Sequence, residues 1–348
     1  MQKNKKIGCI SLLLFSPLTM AMQPLDDQTL AKATAQDGLN VGINVSKIDF
    51  NQLALINSNN TTYANKSALV MAASPGAASS AIGVDFVRTF NADGTILGNS
   101  SQLLQAVIDT DAGKMSTGGA FANIAVTLGS DVNGMRIRPL SVYLVPDNVD
   151  AISSLTPTYT QKSIFSSGTT LKSNIKELLR TDNIDIKFVA VNKPTMNIQL
   201  GASPQGHMVV FGGAIDSICG ATALNPDGCS INLVSGTTGA KFKLQMTGMG
   251  TSGFSLNGFH AGIENEATNG TVTVPGGFVF GNFDRACATD STKCLTSDKF
   301  NLSLNNVQLG ELGNTNTDVF NGLPNGSMGN WGIKGASITD FKMKVSGL

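Results

Sequence analysis

Short runs in which apolar and polar residues alternate recur along most of the chain, and this period of two constrains the fold more than any other feature. Clear examples are Ile82-Val84-Phe86, Ala122-Ile124-Val126-Leu128, Ile184-Ile186-Phe188, Met196-Ile198-Leu200, Phe242-Leu244-Met246, Phe300-Leu302-Leu304 and Phe341-Met343-Val345. Successive side chains of a β-strand point to opposite faces, so each run predicts a half-buried strand. Turn signals such as Asp93-Gly94 and Asn257-Gly258 separate the runs. The pattern therefore predicts an all-β fold, an elongated sandwich or a solenoid-like sheet system of many short strands.

Two stretches depart from this period and predict short helices that cap the sheets. Ser100–Ile108 and Leu171–Arg180 each place several apolar residues at the spacing of one helical face. The polar stretch Ala151–Thr170, rich in serine and threonine, gives a candidate internal boundary near 150–170. Residues 51–348 otherwise form a β-rich body of uniform composition.

The N-terminus has the three parts of a secretory signal peptide. Three lysines lie among the first six residues, Ile7–Met20 is an apolar core, and Ala21 is a small residue at the expected cleavage point. Residues 1–21 are therefore predicted to be removed on export. No later run contains eighteen uninterrupted apolar residues, so no transmembrane helix is expected in the mature chain. The predicted location is the periplasm, the cell surface or the extracellular space.

The charge balance argues against a nucleic-acid partner. The chain has 24 basic and 24 acidic residues, and three of the basic ones lie in the predicted signal peptide, which leaves a net charge of about −3. Binding to a phosphate backbone requires a basic face, and this composition does not predict one.

Four cysteines remain behind the predicted signal peptide: Cys219, Cys229, Cys287 and Cys294. In an oxidising compartment an even number at short spacing predicts disulfides, here between sequence neighbours, Cys219 with Cys229 and Cys287 with Cys294. The alternative is a metal site, but zinc sites usually bring cysteines two to four residues apart. Disulfide bonds are therefore the prediction, and no metal ligand is expected.

Residues 22–50 combine a short helix with the first strand. Met22–Ala35 predicts the helix, because a proline and two aspartates near its start suit that end of a helix. The strand that follows carries apolar side chains at every second position, namely Leu39, Val41, Ile43 and Val45. The alternation shifts by one after Lys47, which predicts a bulge or a corner. This strand is a candidate strand-pairing interface, which would pair within its own chain or add to a neighbour's open sheet edge; we favour the first.

The run Leu25-Asp26-Asp27, Leu30 and Thr34-Ala35-Gln36-Asp37-Gly38, behind a signal peptide, resembles the N-terminus of Fil-type pilus-assembly proteins (FilA-like), which are exported proteins of gamma-proteobacteria. The similarity covers about Met20–Val45. Beyond it, the shared features are length, Gly- and Asn-rich strands and paired cysteines. This chain has Ala35 where family members often have glycine. The resemblance implies a structural or assembly role in a pilus or cell-surface system, with other subunits as partners, and it brings over no catalytic residue.

The residues themselves contain no recognisable catalytic cluster and no cofactor motif. There are two histidines, His207 and His260, and no Gly-x-Ser-x-Gly sequence. The carboxylates Glu264 and Glu266 lie in a polar run and are expected to be solvated. The chain is therefore expected not to be an enzyme, unless one of the histidines lies in a cleft beside carboxylates.

One aromatic residue offers a different function. Trp331 stands between glycines and an asparagine, in Gly329-Asn330-Trp331-Gly332. An exposed tryptophan in such a loop is a candidate ligand contact. The alternative function is therefore a secreted binding module for a sugar or a surface polymer.

Overall fold

The computed structural model of the protein describes residues 38–57, 67–74, 81–146, 176–235, 238–269, 272–284, 287, 289–311 and 327–346. The predicted signal peptide, the helix predicted over Met22–Ala35 and the candidate boundary near 150–170 lie outside these residues. The chain divides into two units, Met1–Leu39 and Asn40–Leu348. Among the described residues, no helix is long and apolar enough to cross a membrane.

The described residues form 25 β-strands and two single-turn 3-10 segments, Met115–Thr117 and Ser291–Lys293. This confirms the predicted all-β class. The strands are β1 (Leu39–Ile43), β2 (Lys47–Phe50), β3 (Gln52–Asn57), β4 (Ser67–Ala73), β5 (Ile82–Phe90), β6 (Ile96–Gly98), β7 (Leu104–Asp111), β8 (Phe121–Leu128), β9 (Gly134–Ile137), β10 (Leu140–Pro146), β11 (Lys176–Thr181), β12 (Ile184–Phe188), β13 (Thr195–Gly201), β14 (Val209–Gly212), β15 (Ala214–Ile218), β16 (Cys229–Ser235), β17 (Thr238–Gly248), β18 (Phe254–Ser255), β19 (His260–Glu264), β20 (Ala267–Asn269), β21 (Val272–Val274), β22 (Gly277–Gly281), β23 (Phe300–Glu311), β24 (Ser327–Ala336) and β25 (Lys342–Val345).

The turn signals between alternating runs form the expected reversals. Between β5 and β6, the Asn91 N–H donates to the Thr95 carbonyl oxygen at 2.9 Å. Gly94 has φ 82° there, a left-handed conformation that costs glycine little because it has no Cβ. The Asp93 carboxylate accepts from the Thr95 N–H at 2.9 Å. Local residues thus determine this hairpin.

All described strands belong to two large sheets, except β20 and β21, which form a separate hairpin. The first sheet has eight strands in the order β1-β7-β8-β13-β14-β19-β22-β25. Because this is also their order in the chain, each passage through the sheet lies beside the preceding one, as in a solenoid.

The second sheet has fifteen described strands, and part of it packs against the first sheet. That part contains β2, β5, β9, β12 and β15 in this order, with β6 and β18 paired to its members. Two apolar clusters lie between the sheets. One is centred on Leu103, Val132 and Phe188, and the other on the rings of Phe254, Phe259 and Phe300, with further rings from the first sheet packed against them. The two layers form the sandwich that the alternation predicts.

The other strands of the second sheet form what we call the wing, in the order β3-β4-β10-β11-β16-β17-β23-β24. This is again their order in the chain, and all seven pairings are antiparallel. β17 and β23, with 11 and 12 residues, are long enough to belong to both the wing and the sandwich.

Both predicted disulfides are present. Cys219–Cys229 closes the loop that leads from β15 in the sandwich to β16 in the wing, with a Cα–Cα distance of 5.2 Å. Cys287–Cys294 closes the loop after β22, with a Cα–Cα distance of 4.6 Å. Disulfides persist in oxidising compartments, so the two bonds indicate an environment outside the cytoplasm. Within the described residues, no group of three or more histidine, cysteine, aspartate or glutamate side chains is arranged to hold a metal.

Both predicted capping helices are wrong where the structure describes them. Residues 100–103 are irregular and Leu104–Asp111 is β7, while Lys176–Thr181 is β11 and residues 171–175 lie outside the described part. The physical reason is tertiary: β7 is paired to β1 and β8, and β11 to β10 and β16. An apolar run of about ten residues does not by itself distinguish the helical period of 3.6 residues from the strand period of two.

The chain changes sheets just before Lys47, and the bulge or corner predicted after Lys47 is wrong in position, because β2 pairs regularly from Lys47 to Phe50. β1 ends at Ile43 in the first sheet, and β2 begins at Lys47 in the second. β1 pairs with β7 of the same chain, and the Leu103 N–H donates to the Ile43 carbonyl oxygen at 2.8 Å. Because β1 is the terminal strand of its sheet, Leu39 and Ile43 are exposed, and only Val41 and Val45 are half-buried.

Candidate functional site

A cleft of about 570 Å³ opens beside the first sheet. Its walls are the end of β13, the loop from residue 201 to 208, and the strands β19 and β22 with the residues that follow β22. Polar and aromatic side chains converge there, among them Gln199, His207, Glu264, Phe283 and Asp284. The volume lies within the range of small-ligand sites.

The two histidines of the chain meet at this cleft, although 53 positions separate them in sequence. The ring of His207 lines the cleft and stacks on the ring of His260, with centroids 3.4 Å apart and planes at 19°. His260 is only 3% exposed, and its Nδ1 lies 3.2 Å from the Gly258 carbonyl oxygen. Its Nε2 is buried without a hydrogen-bond partner among the described residues. Phe283 lies against the buried ring, with centroids 4.5 Å apart.

Amide side chains hold the loop that carries His207. The Gln205 side-chain amide donates to the His207 carbonyl oxygen at 2.8 Å, and the Gln205 backbone N–H donates to Gln199 Oε1 at 3.1 Å. Gln199 in turn donates to Asn123 Oδ1 at 3.0 Å, and Asn197 donates to the same oxygen at 2.9 Å. This chain of amides ties the loop to β8 and β13, so His207 is held by neighbouring strands.

The carboxylate of Glu264 is ion-paired, which corrects the expectation that it is solvated. It contacts Lys342 directly and lies 3.7 Å from Lys344 Nζ. Both lysines come from β25, which is paired with β22 at the end of the first sheet. The Lys342 ammonium also lies 4.7 Å from the centre of the Phe283 ring. Glu266, two residues further along, is exposed as expected.

The cleft therefore brings a histidine beside two carboxylates, which is the geometry that sequence reasoning required of an enzyme. Among the described residues of the cleft, the Ser203 hydroxyl donates to the Gln199 carbonyl oxygen at 3.4 Å, and the Glu264 carboxylate is ion-paired with two lysines. The Asp284 N–H donates to the Asp340 carboxylate at 3.1 Å, and the second disulfide ring follows directly. The arrangement suits retention of a small polar ligand.

Burial lowers the pKa of His260 from its ordinary value of 6.5, and the hydrogen bond to Gly258 and the charge of Asp284 offset this only in part. The unfolded chain therefore binds a proton near pH 6.5, while the folded chain binds it at a lower pH. We expect the free energy of unfolding to decrease as the pH falls below about 6.5 and to stop decreasing below the folded pKa.

The variant His260→Phe keeps an aromatic ring against His207 and Phe283 and removes the titrating group. Urea unfolding at a series of pH values between about 7.5 and 5 should show a smaller decrease for the variant than for the natural chain. An identical decrease in both proteins would show that the acid sensitivity comes from other groups.

The second candidate surface is one face of the wing. Seven apolar residues, each paired directly with the next, cross seven strands in one row: Leu53, Met71, Val142, Leu179, Leu233, Ala240 and Leu309. Leu53, Leu233 and Leu309 are exposed, and the other four are half-buried. We call these seven residues the apolar row. None of them carries a charge.

The opposite face of the wing carries the polar residues of the same strands. Five polar residues form a row on that face, each paired directly with the next: Ser141, Arg180, Asn232, Lys241 and Gln308. Ser141 is fully buried, as are Val70, Tyr143 and Glu177 on the same face. An antiparallel sheet usually packs its apolar face and solvates its polar face. In the described part of the wing, the fully buried residues lie on the face of the polar row, while three leucines of the apolar row are exposed. The apolar row is therefore a candidate contact surface.

Trp331 lies on the apolar side of the wing, in the strand β24. It pairs with Leu304 of β23, and Ile333 pairs with Leu302 in the same way. Trp331 is 54% exposed, and its indole N–H donates to the Met328 carbonyl oxygen at 3.1 Å. Trp331, the candidate ligand contact, is thus an exposed ring on a strand. It does not line the cleft that contains the histidines.

Comparison of the chain with protein-family models, with characterised proteins and with solved structures finds no match. The function must therefore be argued from the two surfaces. Sequence reasoning singled out His207, His260, Glu264 and Trp331 separately, and it found neither Gln199, Asp284 nor the apolar row. The alternation indicated which residues of one strand share a face. Only the pairing of distant strands brings residues of different strands together at the cleft and in the apolar row.

Proposed function

We propose that this protein is an exported, non-enzymatic structural or assembly component of a pilus or cell-surface system. The single observation that carries the proposal is the apolar row, which carries no charge, crosses seven described strands and exposes Leu53, Leu233 and Leu309. Contiguous exposed apolar surface is a feature of proteins that bind other proteins. The resemblance of the N-terminal stretch to Fil-type proteins supports the same role.

The rigidity of the fold also supports this role. Two disulfides close loops at the junction of sandwich and wing and beside the cleft. Buried ion pairs, such as Arg136 with Asp185, link neighbouring strands. An assembly subunit transmits force and must keep its contact surface in place, and these features serve that requirement.

Localisation on intact cells tests the proposal. Surface fibres are sheared from cells that produce the tagged full chain, and the fibre, cell and periplasmic fractions are probed for it. We expect the protein in the sheared fraction or bound to the cell surface, and in smaller amount when the fibres are absent. Recovery of the protein only from the soluble periplasm, unaltered by loss of the fibres, would contradict the proposal.

The exposed ring of Trp331 favours one second candidate, a secreted binding module for a sugar or surface polymer. Aromatic rings provide apolar faces with a polar edge at binding surfaces. The same protein preparation is applied to a glycan array, with Trp331→Ala as the test and Trp331→Phe as the matched control. Binding that Trp331→Ala loses and Trp331→Phe retains would favour this function over the structural one.

A further inference from the structure

We propose that the cleft beside the first sheet binds a neutral sugar, either free or as one residue of a polysaccharide, on a floor that Gly262 keeps open. The binding site goes beyond the structural role and does not rest on it, because the cleft shares no residue with the apolar row. Three features support it: a glycine in the middle of a regular strand, the side chains on both sides of that glycine, and the charge balance of the cleft.

Gly262 stands in the middle of β19, where a glycine weakens a strand and often marks a bulge, a bend, or the close approach of another backbone or a ligand. The pairings of β19 with β14 and β22 contain no register shift, and the φ angle of Gly262 is not in the left-handed region. A Cβ built on Gly262 would meet no heavy atom of the described residues closer than 3.8 Å, and the nearest atoms belong to Met208. The close approach of a ligand is the reason that remains.

Gly262 lies on the face of β19 that forms the floor of the cleft. Val279 of β22 pairs directly with it and also lines the cleft. His260 and Glu264, two positions before and after Gly262, share the same face, and they are about 14 Å apart along the strand at about 3.4 Å per residue. His207 is stacked on His260 at one end, and the Glu264 carboxylate lies at the other. The gap between them suits a small ring-shaped ligand.

The groups around this gap suit both the hydroxyl groups and the C–H bonds of a sugar. Two lysines hold the Glu264 carboxylate in place, and a carboxylate has about four acceptor positions, so an ion-paired one can still accept from a hydroxyl. The Ser203 hydroxyl donates to a backbone carbonyl oxygen, and its own oxygen can accept. Met208 and Val279 supply apolar surface to the same cleft.

The charges at the cleft favour a neutral ligand over an ion. Glu264 and Asp284 line the cleft, and Lys342 and Lys344 are ion-paired with Glu264, so the formal charges of these four side chains cancel. An anion would lie beside two carboxylates, and a cation would compete with two lysines for Glu264. A charged ligand would therefore lose hydration without gaining an uncompensated counter-charge.

Filling the floor tests the site. Gly262→Ala adds a methyl group for which the described neighbours leave room, and Gly262→Val adds a branched side chain of the kind that favours strands. Because glycine weakens a strand, the urea midpoint of unfolding should be unchanged or higher in both variants. If Gly262→Val lowers it, Gly262→Ala decides. Gly98→Val in β6 is the matched control, since a Cβ on Gly98 meets no described heavy atom within 4 Å.

The purified full chain is applied to an array of neutral and charged glycans, and the dissociation constant of the best ligand is measured by titration calorimetry. We expect a neutral glycan to bind the natural chain, Gly98→Val and Trp331→Ala equally well. Gly262→Val should raise the dissociation constant about tenfold or more, because the new side chain occupies the place of the ligand, and Gly262→Ala should raise it by a smaller factor.

Four results would overturn the proposal. They are no binding of any neutral glycan, binding of charged glycans alone, equal binding by the natural chain and both Gly262 variants, and a lower urea midpoint in both variants, which would show that the fold itself requires the glycine. Binding that Trp331→Ala loses and Gly262→Val retains would place the sugar on the wing and would also overturn it.

The localisation experiment separates failure of this inference from failure of the proposed function. Gly262→Val that loses the glycan but stays in the sheared fraction supports both. A chain that reaches the fibres and binds no glycan retains the structural role and removes the inference. A chain that binds the glycan through the cleft but occurs only in the soluble periplasm retains the inference and removes the structural role.

Discussion

Replacing Arg136 with alanine is expected to reduce the free energy of unfolding by about 3–5 kcal/mol, because it leaves a buried carboxylate without its counter-charge. Arg136 in β9 is paired directly with Asp185 in β12. Its Nε and Nη2 donate to the two carboxylate oxygens at 2.6 and 2.7 Å, and Nη2 also donates to the Gly94 carbonyl oxygen at 2.9 Å. The two side chains are only 12% and 10% exposed.

The loss is measured by urea unfolding, with two controls. Lys47→Ala removes one of the two basic partners of Asp49 from an exposed ion pair, while Arg138 stays in contact with the carboxylate. Water screens the exposed charges, and little change is expected. The double variant Arg136→Leu with Asp185→Leu removes both buried charges, and it should be much closer to the natural chain than Arg136→Ala. Equal losses in Arg136→Ala and Lys47→Ala would show that burial of the pair contributes nothing.

Replacing Phe254 with alanine is expected to reduce the free energy of unfolding by a similar amount, about 3–5 kcal/mol, through loss of buried apolar surface and creation of a cavity. Its ring centre lies 5.5 Å from that of Phe300, perpendicular to it, and 5.8 Å from that of Phe259. These rings lie between the two sheets of the sandwich. Edge-to-face pairs of this kind add to the effect of burial.

The matched control is Phe278→Ala in β22. Phe254 is 7% exposed and Phe278 is 45% exposed, so the same chemical change removes a core ring in one variant and a surface ring in the other. Urea unfolding should show a large loss for the first and a small one for the second. The urea dependence of the unfolding free energy is expected to stay the same in both, since the folded surface changes little. Equal losses would show that the cluster does not hold the sheets together.

Local pattern was sufficient for the fold class and for both disulfides. Alternation over a few residues identifies strands such as β8 and β12, because side-chain direction in a strand depends on the backbone alone. The cysteine pairs are separated by 10 and 7 positions, and in so short a loop the partners are already close. The helices predicted over Ser100–Ile108 and Leu171–Arg180 were wrong because the structure there depends on distant parts of the chain. β7 and β11 are stabilised by hydrogen bonds to strands on both sides, and these partners cannot be identified from the local residues.

The candidate surfaces could be predicted only in part. His207, His260 and Glu264 are visible in the sequence as titrating residues, but their meeting depends on the pairing of β14 with β19 and on the amides that hold the loop before β14. The lysines of Glu264 come from β25, nearly 80 positions away. The apolar row joins residues from Leu53 to Leu309 through six successive registers, each of which was set by a separate pairing.

By itself, the sequence determined an all-β chain, its local turns and its two covalent rings, since each of these depends on residues close together along the chain. Only the tertiary structure decided which face of each strand is covered. Alternation makes the two faces of a strand different, but it does not say what packs against either one. Long-range strand order covered the apolar faces of the sandwich, left the apolar row of the wing partly exposed, and brought two distant imidazole rings into contact.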